Sequence, residues 1–186
     1  MQEASDMAMR ARLAPDDALA RIRAAVGEMV SELKLNFDQV DLVCEPDRLV
    51  EVMTRLRDDP ELACHFFTFL SGVDRSEFKD EPGPLEVLVH VYSPEHVLHV
   101  NVHVPVDGDA PRCPTITGLY RGAEWHERET HEMFGVVFEG HPHLVNLYLP
   151  EDFEGYPLRK SFKLPGRVVK EWPGAKDPEE AQAGGR

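Results

Sequence analysis

The fold is decided by one stretch of sequence, LEVLVHVYSPEHVLHVNVHV at residues 85–104. Apolar residues occupy alternate positions in residues 85–92 and again in 97–104, which is the pattern of two half-buried strands. The Pro-Glu-His sequence at 94–96 lies between the two runs and favours a turn. The stretch therefore predicts a β-hairpin with one face in the core.

Helices and further strands are predicted upstream of this hairpin. Pro15 opens a helical stretch in which apolar residues recur every three or four positions as far as Leu33. A second one-sided helix is predicted at residues 46–58, and short strands are predicted at 40–44 and 65–73. This order indicates an α+β fold, a two-layer domain of helices packed on a mixed β-sheet, followed by a long extended C-terminal strap.

The chain divides into four predicted parts. Glycine and proline together number 12 in the last 47 residues against 16 in the first 139, too many for helix or sheet to continue. Many apolar residues are interspersed with them, so the region is not simply solvated. We predict a loose N-terminus at 1–13, an α+β domain at 14–139, an extended partner-binding segment (the strap) at 140–176 and a disordered tail at 177–186.

The overall composition excludes several classes of protein. With 34 acidic against 20 basic residues, the net charge of −14 argues against non-specific binding to nucleic acid or anionic lipid. No apolar run approaches the ~20 residues that a membrane span requires, and the start of the chain lacks a signal-peptide core. The sequence predicts a soluble, cytosolic protein whose membrane role, if it has one, comes through a partner.

Motifs for cofactors are missing from the sequence. It contains no glycine-rich phosphate loop, no G-x-G-x-x-G and no G-x-S-x-G. The three cysteines, Cys44, Cys64 and Cys113, form no C-x-x-C pair and are odd in number, so neither a disulfide framework nor a cluster site is indicated. We interpret them as small core hydrophobes.

The strap differs from the rest of the chain in charge. Residues 156–176 contain six basic side chains and one acidic one in a protein of net charge −14. An extended segment that is both apolar and basic cannot bury itself, so it has to lie on another surface. That surface is either the chain's own acidic domain or a partner subunit, and we favour the partner.

The densest cluster of chemical groups is WHERETHEMFG at residues 125–135. Its two histidines are five positions apart and cannot share a helix face as in an H-E-x-x-H zinc helix. On a helical wheel Arg121, Trp125, Glu129 and Met133 form one row, which sets Glu129 between an indole and a thioether. A carboxylate on an apolar face needs a cation, so we predict an ion pair within the chain or across an interface, with acid–base catalysis and plain solvent exposure as alternatives.

The hairpin histidines form a second cluster. His99, Asn101 and His103 project from one face of the predicted strand, with His90 on the neighbouring strand. A metal site is conceivable there, and it would make the chain a free-standing metal enzyme. Polar residues on the outward face of a sheet are more ordinary, and we favour that interpretation.

Four motifs carry a resemblance to a known family: WHERE at 125–129, MFG at 133–135, FEGHP at 138–142 and LPEDFEGYPLRK at 149–160. Together they look like the signature of the C subunit of bacterial NADH-quinone oxidoreductase, respiratory complex I. This chain has His-Glu before MFG where the family commonly has Tyr-Asp. It also has Phe153 and Tyr156 where Trp and His are frequent.

The resemblance implies a peripheral-arm subunit of an enzyme complex, on the cytoplasmic side of the membrane and touching the membrane only through that complex. It implies no cofactor in this chain, with FMN, iron–sulfur clusters and quinone held by other subunits. The implied partners are the quinone-site (D) subunit, which the strap wraps, and cluster-bearing subunits, with no nucleic acid. The alternative is the equivalent accessory subunit of a membrane-bound hydrogenase or another quinone-coupled complex.

The predicted partner interface combines the helix row, the matched motifs and the basic part of the strap. No catalytic, cofactor-binding or metal-ligating residue is predicted in this chain. The interface residues are Arg121, Trp125, Glu127, Arg128, Glu129, Met133, Phe134, Pro157, Leu158, Arg159, Lys160, Lys163 and Arg167.

Overall fold

The computed structural model describes residues 13–79, 83 and 85–164. Three predictions lie outside these residues, in whole or in part: the loose N-terminus except for Leu13, the strap beyond residue 164 with Arg167, and the disordered tail. Leu13 itself is tied to the domain, because its backbone N–H donates to His96 O at 3.2 Å.

Three helices and seven strands are assigned in the described residues, together with two short 3-10 turns at Gly27–Met29 and Pro46–Arg48. In chain order they are α1 (Pro15–Val26), β1 (Glu32–Asn36), β2 (Gln39–Val43), α2 (Leu49–Asp58), β3 (Phe66–Asp74), β4 (Leu85–Ser93), β5 (Leu98–Val106), β6 (Arg112–Pro114), α3 (Ala123–Phe134) and β7 (Val137–Glu139).

The main sheet has five strands in the order β1-β2-β5-β4-β3. β2 pairs with β5 in parallel, whereas the other three pairings are antiparallel, so the sheet is mixed. The predicted hairpin forms β4 and β5 with Val89 opposite Val102. The predicted α+β class with helices packed on a mixed sheet is therefore confirmed.

The core lies between one face of this sheet and the helices. The alternating valines of β4 and β5 point into it, as the sequence pattern predicts, and so do the apolar faces of α1 and α2. All three cysteines are buried there, which confirms their interpretation as core residues. Fully buried members from the helices and strands include Ile22, Val26, Leu42, Met53, Leu56, Val89 and Val102.

The opposite face of the sheet, here called the outer face, carries the polar positions of the same strands. Strand alternation places His90 and Glu86 of β4 there, beside His99, Asn101 and His103 of β5. Several of these side chains pair with one another, so the outer face is polar without being fully solvated.

The first helix is shorter than predicted. α1 ends at Val26 and Leu33 lies in β1, because the chain turns at Gly27–Met29 and is extended from Val30 onward. Leu33 reaches the core from a strand, opposite Leu42. The β1–β2 hairpin then closes through Phe37 and Asp38, both with positive φ (49° and 62°), as a two-residue hairpin loop requires.

A second, two-stranded sheet was not predicted. β6 pairs in parallel with β7, with Cys113 opposite Phe138. These three-residue strands are too short for an alternation pattern to reveal them. The pairing positions the chain just before α3 beside the chain just after it, and so frames that helix.

Candidate partner-docking face

α3 carries the family-like motifs, and its buried face is not the predicted one. Ala123, Glu127, Thr130 and Phe134 are buried, whereas the Trp125 side chain is 60% exposed. Arg121 and Trp125 of the predicted row are therefore exposed, whereas Met133 at its other end is partly buried and packs against the core. The helix ends at Gly135, whose φ of 79° provides the left-handed C-cap that glycine favours.

The predicted internal ion pair of Glu129 is not present in the part of the chain that the structure describes. Glu129 is only half-buried and has no hydrogen bond or ion pair with a described residue. Its neighbour on the same outward surface, Arg128, bends back to the strap instead. A pair across an interface stays a prediction.

The buried carboxylate of α3 is Glu127, which is fully inaccessible to solvent. Thr115 Oγ1 donates to one carboxylate oxygen at 2.5 Å and the backbone N–H of Ile116 donates to the other at 2.8 Å. No described Lys, Arg or His pairs with it. Burial raises its pKa from 4.5 to about 7, and the two hydrogen bonds only partly oppose that rise. Glu127 thus fastens the segment before α3 to the helix.

This burial makes the stability of the fold depend on pH through Glu127. The folded chain holds the Glu127 proton more tightly than the unfolded chain, so stability is lost as pH rises from 4.5 through about 7. Glu127→Gln has no proton to lose. We expect the free energy of unfolding of the wild type, relative to this variant, to fall by about 3 kcal/mol between pH 4.5 and about pH 8.

The measurement is urea unfolding of both proteins across that pH range. Other titrating groups are common to the two chains and cancel in the difference. A difference that stays constant, or grows with pH, would contradict the assignment of a raised pKa to Glu127.

Glu132 is the second buried carboxylate of α3, and no sequence pattern singled it out. It is 4% exposed and accepts three successive backbone N–H groups of the strap. The donors are Leu147 at 3.1 Å, Tyr148 at 3.1 and 3.2 Å to the two oxygens, and Leu149 at 2.5 Å. Three convergent N–H groups hold a carboxylate without any cation. Glu132 therefore anchors the beginning of the strap.

Arg128, one helical turn before Glu132, also binds the strap. Its guanidinium donates from Nε to Val145 O at 2.9 Å and from Nη2 to Asn146 O at 3.2 Å. The same guanidinium lies over the Trp125 ring, 5.3 Å from its centroid. The side chain therefore links the helix surface to two carbonyl groups of the strap.

The end of α3 binds a later part of the strap. The backbone N–H of Leu158 donates to Met133 O at 3.2 Å, and Arg159 Nε donates to Phe134 O at 2.6 Å. The Tyr156 ring lies against Gly135, where an added Cβ would be 2.5 Å from Tyr156 Cζ. The MFG motif and the YPLR motif, separated by about twenty positions in sequence, are therefore two halves of one contact.

The described part of the strap thus lies on its own domain, which is the alternative that we did not favour from the sequence. Arg159 shows this directly, since its second contact is a 2.6 Å hydrogen bond from Nη1 to Gly108 O. The backbone N–H of Lys160 donates to Asp74 Oδ2 at 2.8 Å. For residues up to 164 the surface is the chain's own domain, and an additional contact of the strap with a partner subunit stays a prediction.

Although the strap backbone is anchored, large apolar side chains on it remain exposed. Tyr148 is 66% exposed, Leu158 54%, Tyr156 43% and Phe153 38%. With the 60% exposed Trp125 of α3 they form a surface that we call the docking face.

Most of the remaining predicted interface residues are exposed. Arg121 is exposed and lines a shallow cleft with Glu124 and Gly140. Lys160 and Lys163 are exposed, and Pro157 is half-buried.

The hairpin histidines do not converge on a metal site. His90 and His99 bond to each other, whereas His103 bonds to Glu86. Within residues 13–79, 83 and 85–164, no three His, Cys, Asp or Glu side chains are grouped as metal ligands would be. Burial raises the pKa of the Cys44 and Cys64 thiols to about 12, so neither is a ready thiolate.

Among the described helices, none combines the length and the apolar character needed to cross a membrane. The longest, α1 and α3, have 12 residues each.

Residues 42–168 match the family model described as respiratory-chain NADH dehydrogenase, 30 Kd subunit. Two relatives are both named as the C subunit of NADH-quinone oxidoreductase. The Roseiflexus sp. (strain RS-1) protein is 40% identical over 151 residues, which cover 81% of this chain and 85% of the relative. The Mycolicibacterium gilvum protein is 36% identical over 169 residues, which cover 88% of this chain and 73% of the relative.

Two solved structures share the fold. One is a trypsin-resistant fragment of Nqo5, with a TM-score of 0.59 and 28% identity over 68% of this chain and 99% of that one. The other is a chain of the membrane-bound sulfane sulfur reductase, described as an archaeal respiratory membrane complex. Its TM-score is 0.64 and its identity 25%, over 80% of this chain and 85% of that one.

The matched region includes the helix with two buried carboxylates and the described part of the strap that one of them holds. The chain belongs to the family of the 30 kDa subunit of respiratory-chain NADH dehydrogenase, and its relatives in Roseiflexus and Mycolicibacterium are named as the C subunit of NADH-quinone oxidoreductase.

Proposed function

We propose that the chain is a non-catalytic peripheral-arm subunit of a proton-translocating NADH:quinone oxidoreductase and that it packs on and positions the quinone-site (D) subunit. The observation that carries the proposal is the docking face, a set of exposed aromatic and aliphatic side chains on a backbone held by hydrogen bonds to α3. Relatives in several bacteria are named as subunits of this enzyme, which supplies the parent complex.

The construction of the docking face suits a permanent contact. Exposed apolar side chains grouped together mark interaction sites on soluble domains. The hydrogen bonds to Glu132 and Arg128 hold the strap in one conformation before binding, so association does not have to order it. Tyr, Trp and Arg are also the side chains that dominate the energetics of interfaces.

Its contribution to the reaction is mechanical. A quinone pocket in a neighbouring chain keeps its geometry only when the supporting shell is well packed. In this proposal the chain holds no cofactor, and FMN, iron–sulfur clusters and quinone belong to other subunits, some of which are further partners. The protein lies on the cytoplasmic side of the membrane, contacts the membrane only through the complex and binds no nucleic acid.

The test is a double variant, Tyr148→Ser with Leu158→Ser, in cells that assemble the complex. Both side chains are more than half exposed, so we expect the unfolding temperature of the isolated chain to stay unchanged. Two interface anchors contribute about 2 kcal/mol each, so the D subunit recovered with the chain should fall by at least about tenfold. NADH:quinone activity of the membranes should fall in parallel.

The matched control is Phe37→Ser, which removes a 92% exposed aromatic side chain at the β1–β2 turn. It tests whether loss of any exposed ring disturbs assembly. Full recovery of the D subunit with the double variant, or equal loss with the control, would show that the docking face is not the contact.

A second candidate is the equivalent accessory subunit of another quinone-coupled complex or of a membrane-bound hydrogenase. The likeness to a chain of the sulfane sulfur reductase favours it, since the fold also occurs in a complex of a different name. Co-purifying chains distinguish the two candidates. A flavoprotein that oxidises NADH indicates the respiratory enzyme, whereas a nickel-bearing large subunit indicates a hydrogenase.

A further inference from the structure

Five aromatic rings lie in contact at one end of the outer face, with His90 four residues along β4 from Glu86. The His90 and His99 rings stack 5.3 Å apart, and Phe69 stacks on His90 at 5.7 Å. Tyr92 covers His99 at 4.5 Å and contacts Phe66 edge-on at 6.5 Å. We call this row of rings the aromatic ladder.

The hydrogen bonds of the ladder determine where its protons are. Thr68 Oγ1 lies 2.8 Å from the backbone carbonyl of His90 and must donate to it, because a carbonyl can only accept. The hydroxyl has a single hydrogen, so its contact with His90 Nδ1 requires Nδ1 to carry the proton. His90 Nε2 is then the acceptor of the neutral ring.

The position of the proton on His99 follows from its position on His90. His99 Nδ1 lies 3.2 Å from His90 Nε2, and two nitrogens can bond only if one of them carries the proton. Because His90 Nε2 is the acceptor, His99 Nδ1 is the donor. The arrangement is a directed chain, from His99 through His90 to Thr68.

We propose that His90 and His99 form a single proton-binding site that accepts one proton and resists a second, which makes the aromatic end of the outer face a pH-sensitive element. One added proton leaves a charged ring bonded to a neutral one, and the hydrogen bond between them survives. A second proton puts an N–H on both facing nitrogens, and the bond must break.

The surroundings of the pair support this behaviour. His90 is only 9% exposed, and burial, followed by the nearby His99, lowers its pKa. Among the described residues of the outer face, Asp41 bonds to Asn101, Glu86 to Arg75 and His103, and Lys34 pairs with Glu32. The described helices pack on the opposite face of the sheet.

The consequence is an asymmetric response to acid. Removing the histidine–histidine bond and adding two like charges 5.3 Å apart separates the rings, so Phe69 and Tyr92 lose their contacts with them. The ladder is therefore intact with no proton or one proton bound, and opens when the second binds.

The test is nitrogen-15 NMR of the histidine rings in the full chain during an acid titration, with Phe replacing His99 as the informative variant. Wild type should show His90 protonated on Nδ1 at neutral pH, and the His90 and His99 signals should respond to the same proton. His99→Phe keeps a ring in the ladder and removes the second charge, so the His90 midpoint should move up in pH.

His143→Gln is the matched control, because His143 is an exposed histidine on the strap whose loss should leave the His90 titration unchanged. Two results would overturn the proposal. One is a neutral His90 with its proton on Nε2, which needs no variant to detect. The other is a His90 midpoint that is the same in wild type and in His99→Phe.

Discussion

Gly135→Ala should lower the free energy of unfolding by about 4 kcal/mol, as the sum of a left-handed backbone strain of about 1–2 kcal/mol and an overpacking cost of about 1–3 kcal/mol. Gly135 has a φ of 79°, and an added Cβ would lie 2.5 Å from the Tyr156 ring. The Tyr156 ring would have to move away from residue 135, and the strap would then lose its contact with the end of α3. Thermal or urea unfolding of the full chain measures the effect.

Gly118→Ala is the control for this prediction. Nothing lies within 4 Å of a Cβ added at Gly118, and its φ is not in the left-handed region. We expect a change of less than about 0.5 kcal/mol there. A small effect at Gly135, similar to that at Gly118, would mean that Tyr156 does not occupy this site in solution.

Glu132→Gln should also cost about 4 kcal/mol, because hydrogen bonds to a charged group contribute about 1.5–3 kcal/mol each and the amide turns an N–H₂ toward backbone donors. Leu147, Tyr148 and Leu149 lose their shared acceptor. Hydrogen exchange of these three amides should accelerate more than exchange in the core strands. The strap should become a site of trypsin cleavage while the sheet persists.

Glu129→Gln is the matched control, since it makes the same chemical change three residues earlier on the same helix. Glu129 is half-buried and has no hydrogen bond or ion pair with a described residue. We expect an effect within about 0.5 kcal/mol. Equal effects of the two substitutions would contradict the anchoring role of Glu132.

The sheet could be predicted because its strands carry a strict alternation. The valines of residues 85–92 and 97–104 can share a face only in extended chains, and they do. Leu33 was assigned to a helix because its spacing from Met29 and Val30 suits a helical face as well as a strand. A short apolar run is compatible with a helix or a strand, and here the turn at Gly27–Met29 ends the helix before Leu33.

The two buried carboxylates could not be predicted from local pattern. Glu127 and Glu132 are held by backbone N–H groups of residues 116 and 147–149, which lie 11 to 17 positions away along the chain. A helical wheel shows neither group of donors. The wheel points instead to Glu129, because it sets Trp125 and Met133 in one apolar row, of which only Met133 packs against the core.

The position of the strap also depends on tertiary structure. From composition alone, an apolar and basic segment can lie either on its own acidic domain or on a partner, and the sequence does not decide between them. The strap can bind at the end of α3 because Gly135 lacks a Cβ and because the carbonyl groups of Met133 and Phe134 are available there as acceptors. Two of the family-like motifs, MFG and the YPLR part of LPEDFEGYPLRK, supply the residues of this contact.

The central claim, that the docking face contacts the quinone-site subunit, is tested most directly by site-specific photo-crosslinking in native membranes. The photoreactive residue p-benzoylphenylalanine replaces Tyr148 on the docking face, or Phe37 as the control position. We expect a crosslinked product from the Tyr148 position that mass spectrometry identifies as this chain joined to the D subunit, and none from Phe37. A Tyr148 product that lacks the D subunit, or no product in an assembled complex, would contradict it.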